Sequence, residues 1–228
     1  MKVTAIGEHL IQLTRLGAFN CYLVREADGL TLVDTGLAGS ADGILAAAQQ
    51  LGQPIKRITL THAHGDHVGS LDVLANKLPE VELVYGARTA VFLAGNLTLH
   101  ADEPQARLRG GFVASSTHAT RLVADGDRVG SLRVVAAPGH TPDHIVFFDS
   151  RDGTLIAGDA FQTKAGIAVA GQIRWLFPFP ALATWHKETA VSTAQKLLAL
   201  NPTRLAVGHG PVLENPGAAM AAAIEAAR

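Results

Sequence analysis

Short apolar runs alternate with polar turns from the first residues of the chain. Residues 3–7, 9–13, 20–25 and 30–34 are strand-like, and Asp28-Gly29 marks a hairpin between the last two. The period then lengthens. Residues 41–51 are Ala-rich, with Ser40 where an N-terminal cap belongs and Gly52 where a C-terminal glycine belongs, which predicts a helix. A strand over 55–60, a helix over 70–78 ended by Pro79, a strand over 81–85 and a short helix over 87–93 follow. Residues 94–118 are too polar and glycine-rich for a regular core element. Beyond them, 121–123, 132–137, 145–149 and 154–157 predict strands, with turns at Asp125-Gly126 and Asp152-Gly153. In 184–200, Ala190, Val191, Ala194, Leu197 and Leu198 fall on one helical face; 204–207 predicts a last strand and 217–228 a closing helix. Strand clusters interleaved with helices in both halves imply an α/β or α+β class, and periodicity does not choose between them.

Composition narrows the picture. At 228 residues the chain fits one domain, 1–228, and 48% hydrophobic against 17% charged residues favours a thick, layered interior. A net charge of −1 without a basic block argues against nucleic acid as a partner. Cys21 is the single cysteine, so no internal disulfide forms and a reducing, cytoplasmic setting is expected. The opening residues show no apolar signal-peptide core, and 165–183 is broken by Gln172, Arg174, Pro178 and Pro180, so a soluble protein without a membrane partner is expected.

The chemistry concentrates in Thr61-His62-Ala63-His64-Gly65-Asp66-His67-Val68-Gly69-Ser70, between a strand and a helix. Packing does not call for three imidazoles and a carboxylate there. In extended backbone, residues two apart point the same way, so His62 and His64 converge on one ion, while a turn at Gly65 swings Asp66 and His67 towards a second. Imidazole and carboxylate suit zinc, and iron or manganese also accept them.

His62-Ala-His64-Gly-Asp66-His67 resembles the signature of the metallo-β-lactamase-fold hydrolases, and the rest of that pattern follows in order. Val33-Asp34-Thr35-Gly36 lies upstream; Pro138-Gly139-His140-Thr141-Pro142, Ala157-Gly158-Asp159-Ala160 and Val207-Gly208-His209-Gly210 lie downstream. The resemblance implies a four-layered αββα sandwich, of α+β class, and two divalent ions per chain, zinc first, with iron, manganese or cobalt as alternatives. It implies His62, His64 and His140 on one ion, Asp66, His67 and His209 on the other, and Asp159 bridging them. For Asp34 two readings stand: a turn residue bonded to its own backbone, or a carboxylate that holds the His-rich loop without touching metal. His144 is expected to pack or bond near the site without binding metal; His9, His100, His118 and His186 match no motif. Asp143 stands where many relatives carry glycine.

The implied reaction is hydrolysis by a hydroxide bridging two cations, with Asp66 also moving the proton to the leaving group. Asp159 and the absence of an export signal argue against antibiotic hydrolysis as the main activity. Glyoxalase II adds a C-terminal helical region, and little chain follows His209. Some lactonases of this fold place a catalytic tyrosine in 161–185, where this chain has none. An ester-type bond in a lactone, thioester or aryl ester of a small, partly hydrophobic substrate is therefore expected. Trp175 and Phe177, in a proline-stiffened apolar stretch, are either a wall of the substrate cleft or core and dimer contacts, a homodimer being possible. Segment 94–118 is a candidate for the opposite wall. The alternative is a mononuclear iron enzyme like persulfide dioxygenases, drawing on His62, His140 and Asp159; the complete second ligand set weighs against it.

Overall fold

The computed structural model describes every residue, Met1–Arg228. The first half supplies β1 (Lys2–Ile6), β2 (Leu10–Arg15), β3 (Phe19–Glu26), β4 (Gly29–Val33), α1 (Ala41–Gln50), β5 (Ile55–Thr59), α2 (Gly65–Val68), α3 (Leu71–Lys77), β6 (Glu82–Gly86) and α4 (Ala87–Leu93). The second supplies β7 (Arg121–Val123), β8 (Arg128–Val129), β9 (Leu132–Ala136), β10 (Ile145–Asp149), β11 (Thr154–Ile156), β12 (Phe161–Gln162), β13 (Ala168–Val169), α5 (Phe179–Leu182), α6 (Lys187–Leu198), β14 (Arg204–Ala206), β15 (Leu213–Glu214) and α7 (Gly217–Glu225).

One sheet runs β1-β2-β3-β4-β5-β6-β7 and the other β15-β14-β11-β10-β9-β8. Tight turns make β1 to β4 an antiparallel meander, whereas the segments carrying α1, α3 and α4 bring β5, β6 and β7 in parallel. In the second sheet only β11 and β14, separated by α5 and α6, are parallel.

Alternation along the strands sets the layers. Tyr22 and Val24 of β3 face Leu132 and Val134 of β9 and Phe147 of β10 in one cluster between the sheets. Cys21 and Leu23 point the other way, into a cluster with Ile44 of α1, Leu74 of α3 and Phe92 of α4. Val135 and Val146 likewise turn outward onto Ala194 and Leu197 of α6 and Ile224 of α7. Helices, sheet, sheet, helices: three apolar layers make a four-layered sandwich, as expected.

Some boundaries moved. The helix expected over 184–200 begins at Lys187, because Trp185 and His186 give their amides to the His140 and Gly139 carbonyls and His186 then caps through its ring. Ser40 precedes α1 but does not cap it; its amide donates to Ser70 Oγ instead. Strands β8, β12, β13 and β15 and the single-turn helices α2 and α5 are too short to leave a periodic signal.

Candidate metal centre

Five loops meet at one edge of the sandwich, each following the C-terminal end of a strand: Asp34 after β4, His62 to His67 after β5, His140 after β9, Asp159 after β11 and His209 after β14. Backbone bonds tie them together. Thr35 N–H reaches His67 O at 2.6 Å, Ile145 N–H reaches Thr61 O at 2.9 Å, and Gly208 N–H reaches Gly158 O at 2.9 Å. Gly208 itself has no room for a side chain, since a Cβ would run into Asp159 Oδ1 and the His67 ring.

Two groups of ligand atoms result. His62 Nε2 lies 3.1 Å from His64 Nδ1, which lies 3.1 Å from His140 Nε2. Beside them, His209 Nε2 is 3.3 Å from Asp66 Oδ2, and His67 Nε2 is 3.9 Å from the same oxygen. Asp159 spans the two: its Oδ2 is 3.4 Å from His140 Nε2 and 3.1 Å from His209 Nε2, and its Oδ1 is 3.3 Å from His67 Nε2. The structure thus gathers His62, His64, Asp66, His67, His140, Asp159 and His209, the sequence-predicted ligands.

The outward ring nitrogens decide what the inward ones can do. His64 Nε2–H donates to Arg109 O at 3.0 Å and His209 Nδ1–H to Ala18 O at 3.2 Å, since a carbonyl only accepts. His67 Nδ1–H donates to Asp34 Oδ2 at 2.7 Å. The Thr61 hydroxyl gives its proton to Asp34, so His62 Nδ1 must be the donor in their 3.0 Å contact. The Thr184 hydroxyl donates to Pro180 O, so His140 Nδ1 donates to it. Each inward nitrogen is thereby left to face the carboxylates and the other rings, and can offer a lone pair to a cation once any proton it carries has gone. Such a set is mutually repulsive until protons or cations enter it, and His67 Nε2 and Asp159 Oδ1 are buried without a hydrogen-bond partner. The residues therefore fit metal ions.

The two groups differ electrically. Burial drives the pKa of His62 and His140 well below the usual imidazole value and lowers that of His64. Around the second group burial also opposes charge, but Asp159, Asp34 and Asp66 outweigh it and hold His67 well above the ordinary value, while Asp159 and Asp66 lift His209 to about 9. Asp66 itself falls to about 2: burial raises it, and His67 and His209 more than compensate. The carboxylates demand positive charge there, as protons or as metal.

Asp34 lies in left-handed backbone at a φ of 63° and accepts from Thr61 N–H at 2.7 Å, from the Thr61 hydroxyl at 2.8 Å and from His67. Of its two readings, the structure favours the one in which it holds the His-rich loop. His144 accepts from Asp159 N–H at 3.1 Å and joins neither group; burial lowers its pKa to about 3. Asp143 is buried, its pKa raised to about 6 by burial, and also joins neither.

A cleft of about 320 Å³ opens over the ligands, lined by Gly110 and Gly111 of segment 94–118, by Phe179, Pro180 and Leu182 of α5 with Ala183 just after it, and by Phe19. Trp175 and Phe177 correct the expectation of a cleft wall there. Trp175 is 85% exposed and outside the lining, and Phe177 is buried behind the site, its ring 5.3 Å from that of His209. Sequence reasoning missed the Arg109 and Ala18 carbonyls and the Thr184 hydroxyl. A carbonyl belongs to every residue type, so no sequence signal could have marked the first two.

Fold and site together define a metallo-hydrolase class, and the chain belongs to the metallo-beta-lactamase superfamily, whose family profile matches residues 15–209. Among relatives it is similar to YobT of Bacillus subtilis (strain 168), 50% identical over 210 residues that cover 92% of this chain and 90% of that protein. It is also similar to the probable metallo-hydrolase YflN of the same strain, 31% identical over 90% of this chain and 84% of that one. Among solved structures it resembles TTHA1623 in a di-iron-bound form, with a TM-score of 0.65, 26% identity, and coverage of 92% of this chain and 96% of that one.

Proposed function

We propose that this protein is a hydrolase working with two divalent metal ions, zinc or else iron, manganese or cobalt, on an ester-type bond of a small, partly hydrophobic lactone, thioester or aryl ester. The observation that carries the reading is the pair of ligand groups sharing Asp159, in which every imidazole has its outward nitrogen held by a partner and its inward nitrogen turned to the site. The di-iron form of TTHA1623 supports a site for two ions. Bound there, the ions would lower the pKa of a water molecule and polarise an acyl oxygen.

The chain's own residues do the rest. Phe19, Phe179 and Leu182 give the cleft an apolar lining, and its volume suits a small substrate. Asp66 is half-buried, lines the cleft and meets His209 and His67 through one oxygen, Oδ2; its carboxylate would take a proton from the nucleophile and hand it to the leaving group. Asp66→Ala is expected to cut kcat far more than it raises KM; unchanged turnover with both metals retained would remove that role.

Elemental analysis with a turnover screen over lactones, thioesters, aryl esters, phosphotriesters and a β-lactam tests the whole reading. Two ions per chain and turnover of an ester-type substrate are expected. One iron per chain with oxygen consumption on a persulfide would replace hydrolysis by the dioxygenase alternative.

A further inference from the structure

The cleft over the metal ligands continues into a second groove of about 270 Å³. Gly110 and Ala183 line the first; their neighbours Arg109 and Leu182 line the second, and Leu182 faces both. Ile173, Trp185 and Lys187 complete the second groove's character: apolar walls with two cations.

Those cations are free, unlike Arg57, Arg88, Arg121, Arg151 and Arg204, each of which holds a carboxylate. The side chains of Arg109 and Lys187 engage no carboxylate and no hydrogen-bond acceptor, and the adjacent Arg107 is equally free. The one acidic residue in the groove, Glu188, is 82% exposed and turned to His186 at 3.2 Å.

Arg109 is nevertheless held in place by its backbone. Its carbonyl takes the His64 Nε2–H, Gly111 O takes Gly65 N–H at 2.9 Å, and the Trp185 indole N–H binds Ala106 O at 3.1 Å. Gly110, at a φ of 87°, presses against the His64 ring where a Cβ would collide. The loop tip is thus fixed to a metal ligand while its guanidinium stays without a partner, beside the exit of the cleft.

We propose that the substrate carries an oxyanion, a carboxylate or a phosphate, away from the scissile bond, and that Arg109 and Lys187 bind it in this second groove. The proposal rests on the hydrolase reading and deepens it: the metal centre takes the ester group, and the two cations select for charge at the far end. Both cations lie beside solvent, so each contributes modestly, about fivefold in affinity, and more at low salt.

The test uses the metal-loaded protein and three esters of matched length: an aryl valerate, the aryl hemiglutarate and a phosphate-terminated analogue. The wild type is expected to prefer an anionic ester through a lower KM, and whichever anion is better names the source. Arg109→Gln and Lys187→Gln should each erase about fivefold of that preference, leave kcat/KM for the valerate within about twofold, and weaken the salt dependence. Arg109→Lys should restore most of the loss. Equal treatment of charged and neutral esters by the wild type, or a preference that survives both substitutions, would overturn the proposal. Calorimetric binding of the hemiglutarate anilide against the valeric anilide separates the two readings. If no ester is turned over but the anilide anion still binds through Arg109 and Lys187, hydrolysis fails and the anion groove stands.

Discussion

Removing the Asp34 carboxylate separates the stability of the His-rich loop from its capacity to hold metal. In Asp34→Ala three buried donors, the Thr61 amide, the Thr61 hydroxyl and His67 Nδ1–H, lose their acceptor at about 1–3 kcal/mol each. Alanine at a φ of 63° adds about 1 kcal/mol. The expected loss is at least about 4 kcal/mol, enough to threaten a domain of ordinary stability. Asp34→Asn behaves differently. It tolerates the left-handed backbone and keeps an acceptor for Thr61 N–H, but sets an NH₂ group against His67 Nδ1–H. The ring escapes by shedding its Nδ1 proton and keeping the one on Nε2, 3.3 Å from Asp159 Oδ1. That proton suits the metal-free fold and occupies the place of a cation. Chemical denaturation of metal-free Asp34→Asn should therefore show a loss of about 1 kcal/mol or less, while competition against a chelator shows the second ion bound about 10–100-fold more weakly. If Asp34→Asn binds that ion within about twofold of the wild type, the tautomer reasoning is refuted and Asp34 only props the loop.

Three further outcomes are expected. Gly110→Ala should displace the loop tip from His64, seen as weaker binding of the first ion, because the added Cβ meets the ring and the φ of 87° disfavours any side chain. In metal-free protein His209 is raised from 6.5 to about 9, so its contribution to stability is complete below pH 6.5 and lost as pH climbs through about 9; Asp66, lowered from 3.8 to about 2, contributes above 3.8 and loses its share as pH falls through about 2. A Tm profile of metal-free protein should accordingly peak between these limits, and apparent metal affinity should rise with pH towards 9 as the ion displaces the His209 proton. Phe177→Ala, which empties a site packed on Phe19 and His209, should cost about 3 kcal/mol in denaturant titration, whereas Trp175→Ser at an 85% exposed position should stay within about 0.5 kcal/mol.

Much of this was readable in one dimension. Alternation over 20–25 and 132–137 placed two-faced strands, and the structure uses both faces of each. Ligand types and their loops were legible because His62-Ala-His64-Gly-Asp66-His67 has no packing explanation. The start of α6 was not legible: a helical period ran through 184–186, yet the His140 loop takes the Trp185 and His186 amides first. Trp175 and Phe177 read alike as apolar residues between prolines, and only packing separates an exposed indole from a ring buried against His209.

The chain order of the residues determines which ligands exist, which turns carry them and that alternating strands must bury two faces. Tertiary structure alone decides that His140, Asp159 and His209 come within reach of His62, because those loops are separated by most of the polypeptide and meet only when two sheets pack. It also decides which nitrogen of each ring faces inward. That choice is made by partners such as the Arg109 and Ala18 carbonyls, whose bonding power is the same whatever side chain the residue bears.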